Sequence, residues 1–318
     1  MARRVLQGAG VLTIIVFFTY GAERALRPDS YPGQAYWPHV WHASERAVFH
    51  LDFGRACGWA GCPHIHDMWV HGIAADLCLV AGALLIAVCV GVLGAVVCAR
   101  RPRSLPSRVL QAGATLAYCS PVYVLGLGLV LLFNADAGKW PIPYFFDIRP
   151  AAYVSPLSNP WDWARSFAIP WLVLAAPLAG ACLRITLAMT VEELDRDHVR
   201  TAVAKGLSRS RVLRRHAAPG AYVSLTAYLW ATIPAFVTNA VLVEWVFNVP
   251  GFFVNARRAL GQDPFHVEVL HEKVIDIPMV EALALWSAVL IIVMSVLADV
   301  TSAAIDPRIR LGARFARS

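Results

Sequence analysis

Between Ile73 and Ala99 the chain carries one charged side chain, Asp76, and five other stretches are comparably apolar. A helix of about 20 such residues spans the hydrocarbon core of a bilayer and satisfies its own backbone hydrogen bonds there. The pattern predicts six such helices: 5–20, 73–99, 109–133, 167–189, 221–243 and 279–302. The apolar runs are continuous and not alternating, which excludes a membrane β-barrel. Composition agrees: 58% of the 318 residues are hydrophobic and 15% charged, against about 25% charged in an ordinary soluble domain. That balance excludes an ordinary soluble enzyme and a disordered chain, and no short repeat supports a collagen-like or coiled-coil fold. The expected fold is all-α: a polytopic membrane protein with six transmembrane helices, residues 1–318 forming a single membrane domain. Glu23 and Arg24 follow Tyr20 with no evident cleavage site, so the first stretch reads as an uncleaved span and not a signal peptide.

Lys and Arg orient the spans. With both termini inside, the inner segments (the N-terminus, 99–108, 190–218 and the tail from 303) hold 17 Lys/Arg against 5 acidic residues. The outer segments 21–72, 134–166 and 244–278 hold 10 against 13. The positive-inside rule then predicts two cytoplasmic termini. The net charge of +7 follows from this topology and from contact with anionic lipid head groups, so no nucleic-acid partner is implied. The outer segment 21–72 and the segment 134–166 are rich in residues that suit the membrane interface, Trp140, Trp161 and Trp163 among them.

The segment 190–218, between the fourth and fifth spans, is too charged to enter lipid. It nevertheless has helical logic. Glu192, Glu193 and Asp195 read as the first turn of a short helix, where the dipole favours anions. Val199, Ala202 and Val203 fall on one face. Gly206 after Lys205 suits a left-handed stop, and Ser208 suits the cap of a second, basic helix from Arg209. Thr201, Ala202 and Ala204 leave little bulk, as expected of a helix that packs into a groove of a cytoplasmic partner. A plain solvated loop is the alternative.

The run Arg200-Thr201-Ala202-Val203-Ala204-Lys205-Gly206-Leu207-Ser208 resembles the "EAA" loop of ABC importer permeases, in the form found in B-type subunits of the dipeptide/oligopeptide/nickel group. Three further blocks agree in order. Leu51-Asp52-Phe53-Gly54-Arg55 is similar to the block before span two, and Glu244 to Gly251 to the E-x-V-F-x-x-P-G block after span five. Asp299 with Asp306-Pro307-Arg308-Ile309-Arg310 is similar to the closing D…L-D-P-R-I-R. Pro219 stands thirteen residues after Gly206, as in the general pattern, while Phe253 replaces a family Gly.

The resemblance implies a type I ABC importer permease fold. It implies a coupling segment in which Glu193, Asp197, Arg200, Thr201, Ala202, Lys205, Gly206 and Arg209 meet or position a separate ATPase. It also implies an outer gate segment, 244–276, with Glu244, Phe247, Pro250 and Gly251. The implied partners are a second, C-type permease subunit, one or two ATP-binding subunits and an extracytoplasmic substrate-binding protein. No phosphate-binding G-x-x-x-x-G-K-[ST] occurs, since Gly138-Lys139 is followed by Trp140, so this chain is expected to be no enzyme and to hold no cofactor. ATP and magnesium would belong to the partner ATPases. Peptides are the expected cargo, with nickel chelates or glutathione-like solutes as the alternative.

Within span five, Tyr228, Thr232 and Asn239 lie toward one side and are candidates for the translocation path; interhelical contacts are the other reading. Asp76, Glu281 and Asp299 lie near span ends, and Asp299 is expected to pair with Arg184 or a tail arginine. Five cysteines fall in or at spans and read as packing residues. Cys57 and Cys62 lie in the outer segment and suit a disulfide. With His64 and His66 they are also weak candidates for a metal site. A rival class is therefore a membrane metal-binding or redox protein built on this cluster.

Overall fold

The structure is a computed structural model that describes residues 35–50, 64–133, 155–255 and 277–305, with scattered positions between 10 and 25 and at 52, 54 and 55. Helices dominate, and among the described residues the β-structure is an isolated bridge between Arg55 and His64. In chain order the helices are α1 (Tyr36–His50), α2 (Ile65–Arg100), α3 (Leu105–Cys119), α4 (Val122–Phe133), α5 (Pro160–Leu194), α6 (Asp197–Ala204), α7 (Arg209–Val212), α8 (Ala218–Phe247) and α9 (Ile277–Ile305). A π-type turn, Leu213–Ala217, joins α7 to α8.

Helices α2, α5 and α8, and the Pro278–Leu297 part of α9, are long and apolar enough to cross a membrane. With α9 taken whole, these helices contain four of the predicted spans and extend beyond them. Helix α5 starts seven residues before the predicted span because Asn159 caps it, accepting the Asp162 N–H at 3.2 Å, with Pro160 following at the position where a missing N–H is harmless. The predicted span 109–133 requires correction. It is not one helix but two, α3 and α4, bent by 101° at Ser120-Pro121. A residue before proline is pushed out of the helical region, and Ser120 has φ −85° and ψ 124°. The described residues thus hold four candidate spans, or five if the bent pair counts as one. Half of the predicted first span, 5–20, falls outside the described residues.

The chain divides into two compact units. The larger, residues 78–149, 154–247 and 297–318, is built on α5, which packs against α3, α4 and α8. Helices α3 and α5 meet without side chains between them: a Cβ on Gly180 would overlap the Ala114 carbonyl oxygen. Higher on α5 the Trp171 indole N–H donates to the Cys78 carbonyl at 2.9 Å. Prolines 170 and 177 lie inside α5 and Pro234 inside α8, each removing one backbone donor from its helix.

The smaller unit, residues 1–77, 150–153 and 248–296, is organised on a buried carboxylate. Asp76 is 0% exposed. Its Oδ1 accepts the Phe252 backbone N–H at 2.7 Å and its Oδ2 accepts the Trp286 indole N–H at 2.5 Å. Trp286 in turn meets Trp69 edge to face, centroids 5.5 Å apart. The lone charge of the second span is thus a junction of α2, the turn after α8 and α9. In the same unit, α1 turns Val40, Ala43 and Ala47 inward and leaves Trp37 and Trp41 exposed. Asp76→Ala would strand two buried N–H donors, at about 1–3 kcal/mol each. The expected result is a clear drop in the thermal midpoint of the detergent-solubilised protein, smaller for Asp76→Asn; an unchanged midpoint for Asp76→Ala would contradict the junction.

Candidate functional site

The segment between α5 and α8 forms an elbow. Its first helix does not begin where the acidic residues predict. Glu192 and Glu193 belong to the last turn of α5, Asp195 closes that helix, and α6 starts at Asp197 behind the extended residue Arg196. Carboxylates at a helix C-terminus face the wrong end of the dipole. Here Arg196 offsets them, lying 3.1 Å from Glu193 Oε1 and 3.7 Å from Glu192 Oε1. His198 Nε2 stands 3.9 Å from the other Glu193 oxygen.

Glu193 is buried, and what covers it is α8. Its carboxylate packs so closely on Gly220 that a Cβ there would overlap it. Glu193 therefore acts inside the elbow, bracing α6 through Arg196 and His198 against the start of α8. Sequence reasoning named Glu193 but missed Gly220, whose role shows only in this approach.

Helix α6 is amphipathic. Val199 and Ala202 turn inward onto Val212, with Leu194 and Leu207 packed beside them. This corrects the predicted faces. Ala202 is part of the inner face and cannot meet a partner, and Val203 is 58% exposed. The outer surface is made by Asp197, Arg200, Thr201, Val203, Ala204 and Lys205. The Thr201 hydroxyl is engaged locally, donating to the Asp197 carbonyl at 2.8 Å. Gly206 has φ +75°; its N–H donates to Val203 and the Leu207 N–H reaches back to Ala202. That pair of bonds defines a Schellman stop, which needs a left-handed residue. The second helix does begin at Arg209, and the Ser208 carbonyl accepts the Arg211 and Val212 N–H groups. Wider π-type geometry follows, giving room to the ring of Pro219 against the preceding turn.

The remaining predicted residues are dispersed. Tyr228, Thr232 and Asn239 are half-buried along α8, and the Thr232 hydroxyl donates to the Leu229 carbonyl at 3.0 Å. Glu244 and Phe247 are fully buried at the end of α8. Asn248 then reverses the chain with φ +52°, and Gly251 is buried beside the half-buried Pro250. Cys57 and Cys62 lie outside the described residues. His64 forms the bridge with Arg55, and the His66 ring is 6.3 Å from Trp69. Among the described residues no cluster of three His, Cys, Asp or Glu is arranged to hold a metal.

An all-helical, multi-pass membrane protein with a structured elbow between two spans is the class these features define. The family described as the inner membrane component of binding-protein-dependent transport systems matches residues 91–311, and the chain belongs to it. A putative peptide transport system permease protein of Brucella abortus is 28% identical over 263 residues, covering 83% of this chain and 77% of its own length. A putative peptide permease protein of Brucella ovis is 31% identical over 242 residues, 75% and 69% of the two chains. The oligopeptide transport system permease protein AppB of Bacillus subtilis is 26% identical over 258 residues, 81% and 76%. The resemblance read from the motifs is borne out: the chain is a permease component of a transport system, and that family is not itself an enzyme.

Gly220→Ala is expected to lower stability by about 1–3 kcal/mol through overpacking. Adding Glu193→Asp, which withdraws the carboxylate by one methylene, should recover part of the loss in thermal unfolding of the solubilised protein. Equal stability of Gly220→Ala and wild type would remove the brace.

Proposed function

We propose that the chain is one of two permease subunits of an ATP-driven importer, with both termini in the cytoplasm, and that its cargo is peptide. An extracytoplasmic binding protein delivers the cargo to the outer side. A C-type permease subunit completes the path, and one or two ATP-binding subunits carry ATP and magnesium. The observation that carries this reading is the elbow: a short helix presenting Asp197, Arg200, Val203 and Lys205 outward, stopped by left-handed Gly206 and braced by Glu193 against α8. A groove on an ATPase that grips this outer face would move α8 as well, because the brace leaves no slack between them. In this reading Arg209 flanks the docking face and Thr201 stiffens it. Tyr228, Thr232 and Asn239 line the path, and Glu244, Phe247, Pro250 and Gly251 belong to the outer gate. Peptide as cargo is supported by the names of the Brucella and Bacillus relatives.

The test is a mild-detergent pull-down of the tagged chain with partners identified by mass spectrometry. Recovery of an ATP-binding subunit and a second permease is the expected result. Recovery of the chain alone, under conditions that keep other transporters intact, would refute it. Within the recovered complex, Gly206→Val should strain the left-handed stop. Expected are normal membrane insertion, retained ATP hydrolysis and peptide import reduced at least tenfold; wild-type import would count against the coupling role.

A further inference from the structure

Arg184 is the only Lys or Arg inside the six predicted spans. The structure leaves it exposed on α5, its guanidinium carbon 5.5 Å from the ring centroid of Tyr118, itself 50% exposed. The guanidinium carbon stands over the face of the ring, and among the described residues nothing accepts its N–H donors; the Asp299 side chain lies outside the described residues. A cation on a span is costly in lipid and faces a protein interior or a water-filled cavity.

Snorkelling to the inner surface does not account for the geometry. Side chains tilt toward the N-terminus of their helix, and α5 runs inward in the proposed topology, so Arg184 tilts toward the membrane centre. Tyr118 lies about 20 Å along α3 from its start at Leu105, and Arg184 about 15 Å from the end of α5 at Leu194. Helix α5 packs against both α3 and α8. Two helices of one compact unit, α3 and α5, therefore bring a phenol and a cation together.

We infer that Arg184, with Tyr118, forms a binding site in the translocation path for the carboxylate of the transported solute. This rests on the importer reading and names the group of the cargo that is recognised. A carboxylate crossing a low-dielectric region needs a counter-charge, and the free N–H fork of an arginine matches its two oxygens. The face of the Tyr118 ring holds the guanidinium in place.

The test uses the whole importer in cells and compares uptake of radiolabelled trialanine with that of trialanine amide. Selection by the binding protein is the same in every variant and cancels in the comparison. Arg184→Gln should lower the acid-to-amide uptake ratio at least tenfold while the complex still assembles and hydrolyses ATP. Arg184→Lys should stay within about threefold of wild type. Arg184→Cys should lose acid uptake and regain it on reaction with a cationic aminoethyl methanethiosulfonate, relative to treated wild type, and not with the anionic sulfonatoethyl reagent. A loss equal for acid and amide overturns the inference. So does failure of Arg184→Gln to retain the second permease, which would make the arginine an intersubunit contact. The same ratio change in Asp299→Asn would make it an internal ion pair. Dependence of the effect on phosphatidylglycerol in reconstituted bilayers would assign the site to lipid phosphate. A wild-type complex without an ATPase would instead refute the importer reading itself.

Discussion

A lipid bilayer offers the backbone no water, and every part of this chain that crosses it must close its own hydrogen bonds. The long helices follow from that constraint, and so do the devices where the helix is interrupted. Pro121 breaks the third apolar stretch, and the chain resumes at once as α4, the Pro121 carbonyl accepting the Val124 and Leu125 N–H groups at 3.0 and 3.1 Å. Beyond α8 the Phe252 N–H has left helical geometry and is taken up by Asp76 instead. A carboxylate in an apolar span is costly alone, but one that accepts a backbone and an indole N–H turns that cost into a fixed junction of three segments.

The elbow between α5 and α8 obeys a different economy, because it is solvated. There the Glu193–Arg196 pair would contribute little if both groups were exposed. Burial of Glu193 against Gly220 changes that, since the carboxylate cannot leave without repacking α8. The elbow thus combines a stiff interior, made by Val199, Ala202, Val212 and the Glu193 brace, with a polar outer face. Stiffness inside and specificity outside are what the proposed lever between an ATPase and the membrane path would require.

Much of this was legible in the residues. Continuous apolar runs identify the spans because composition alone decides what lipid tolerates, and four of six were recovered with longer ends. Gly206 was legible because a glycine after a short amphipathic run is a local signal. Less legible were the start of α6 and the inward side of Ala202. The acidic residues at 192–195 look like a helix start, yet α5 simply continues through them, held by packing on α8 and by Arg196. Asp76 stood out as the lone charge of its span, but its partners lie 176 and 210 residues away.

The sequence by itself determined that this is an all-helical membrane protein of the permease family with a structured segment between the long helices α5 and α8. Those properties depend on local composition, periodicity and short motifs. Only the tertiary structure decided that the third stretch bends at Pro121, that Asp76 joins α2 to the turn after α8, that Glu193 is seated on Gly220, and that Arg184 stands over the Tyr118 ring. Each depends on which helix faces approach one another, and close approach is settled by the packing of segments far apart in the chain.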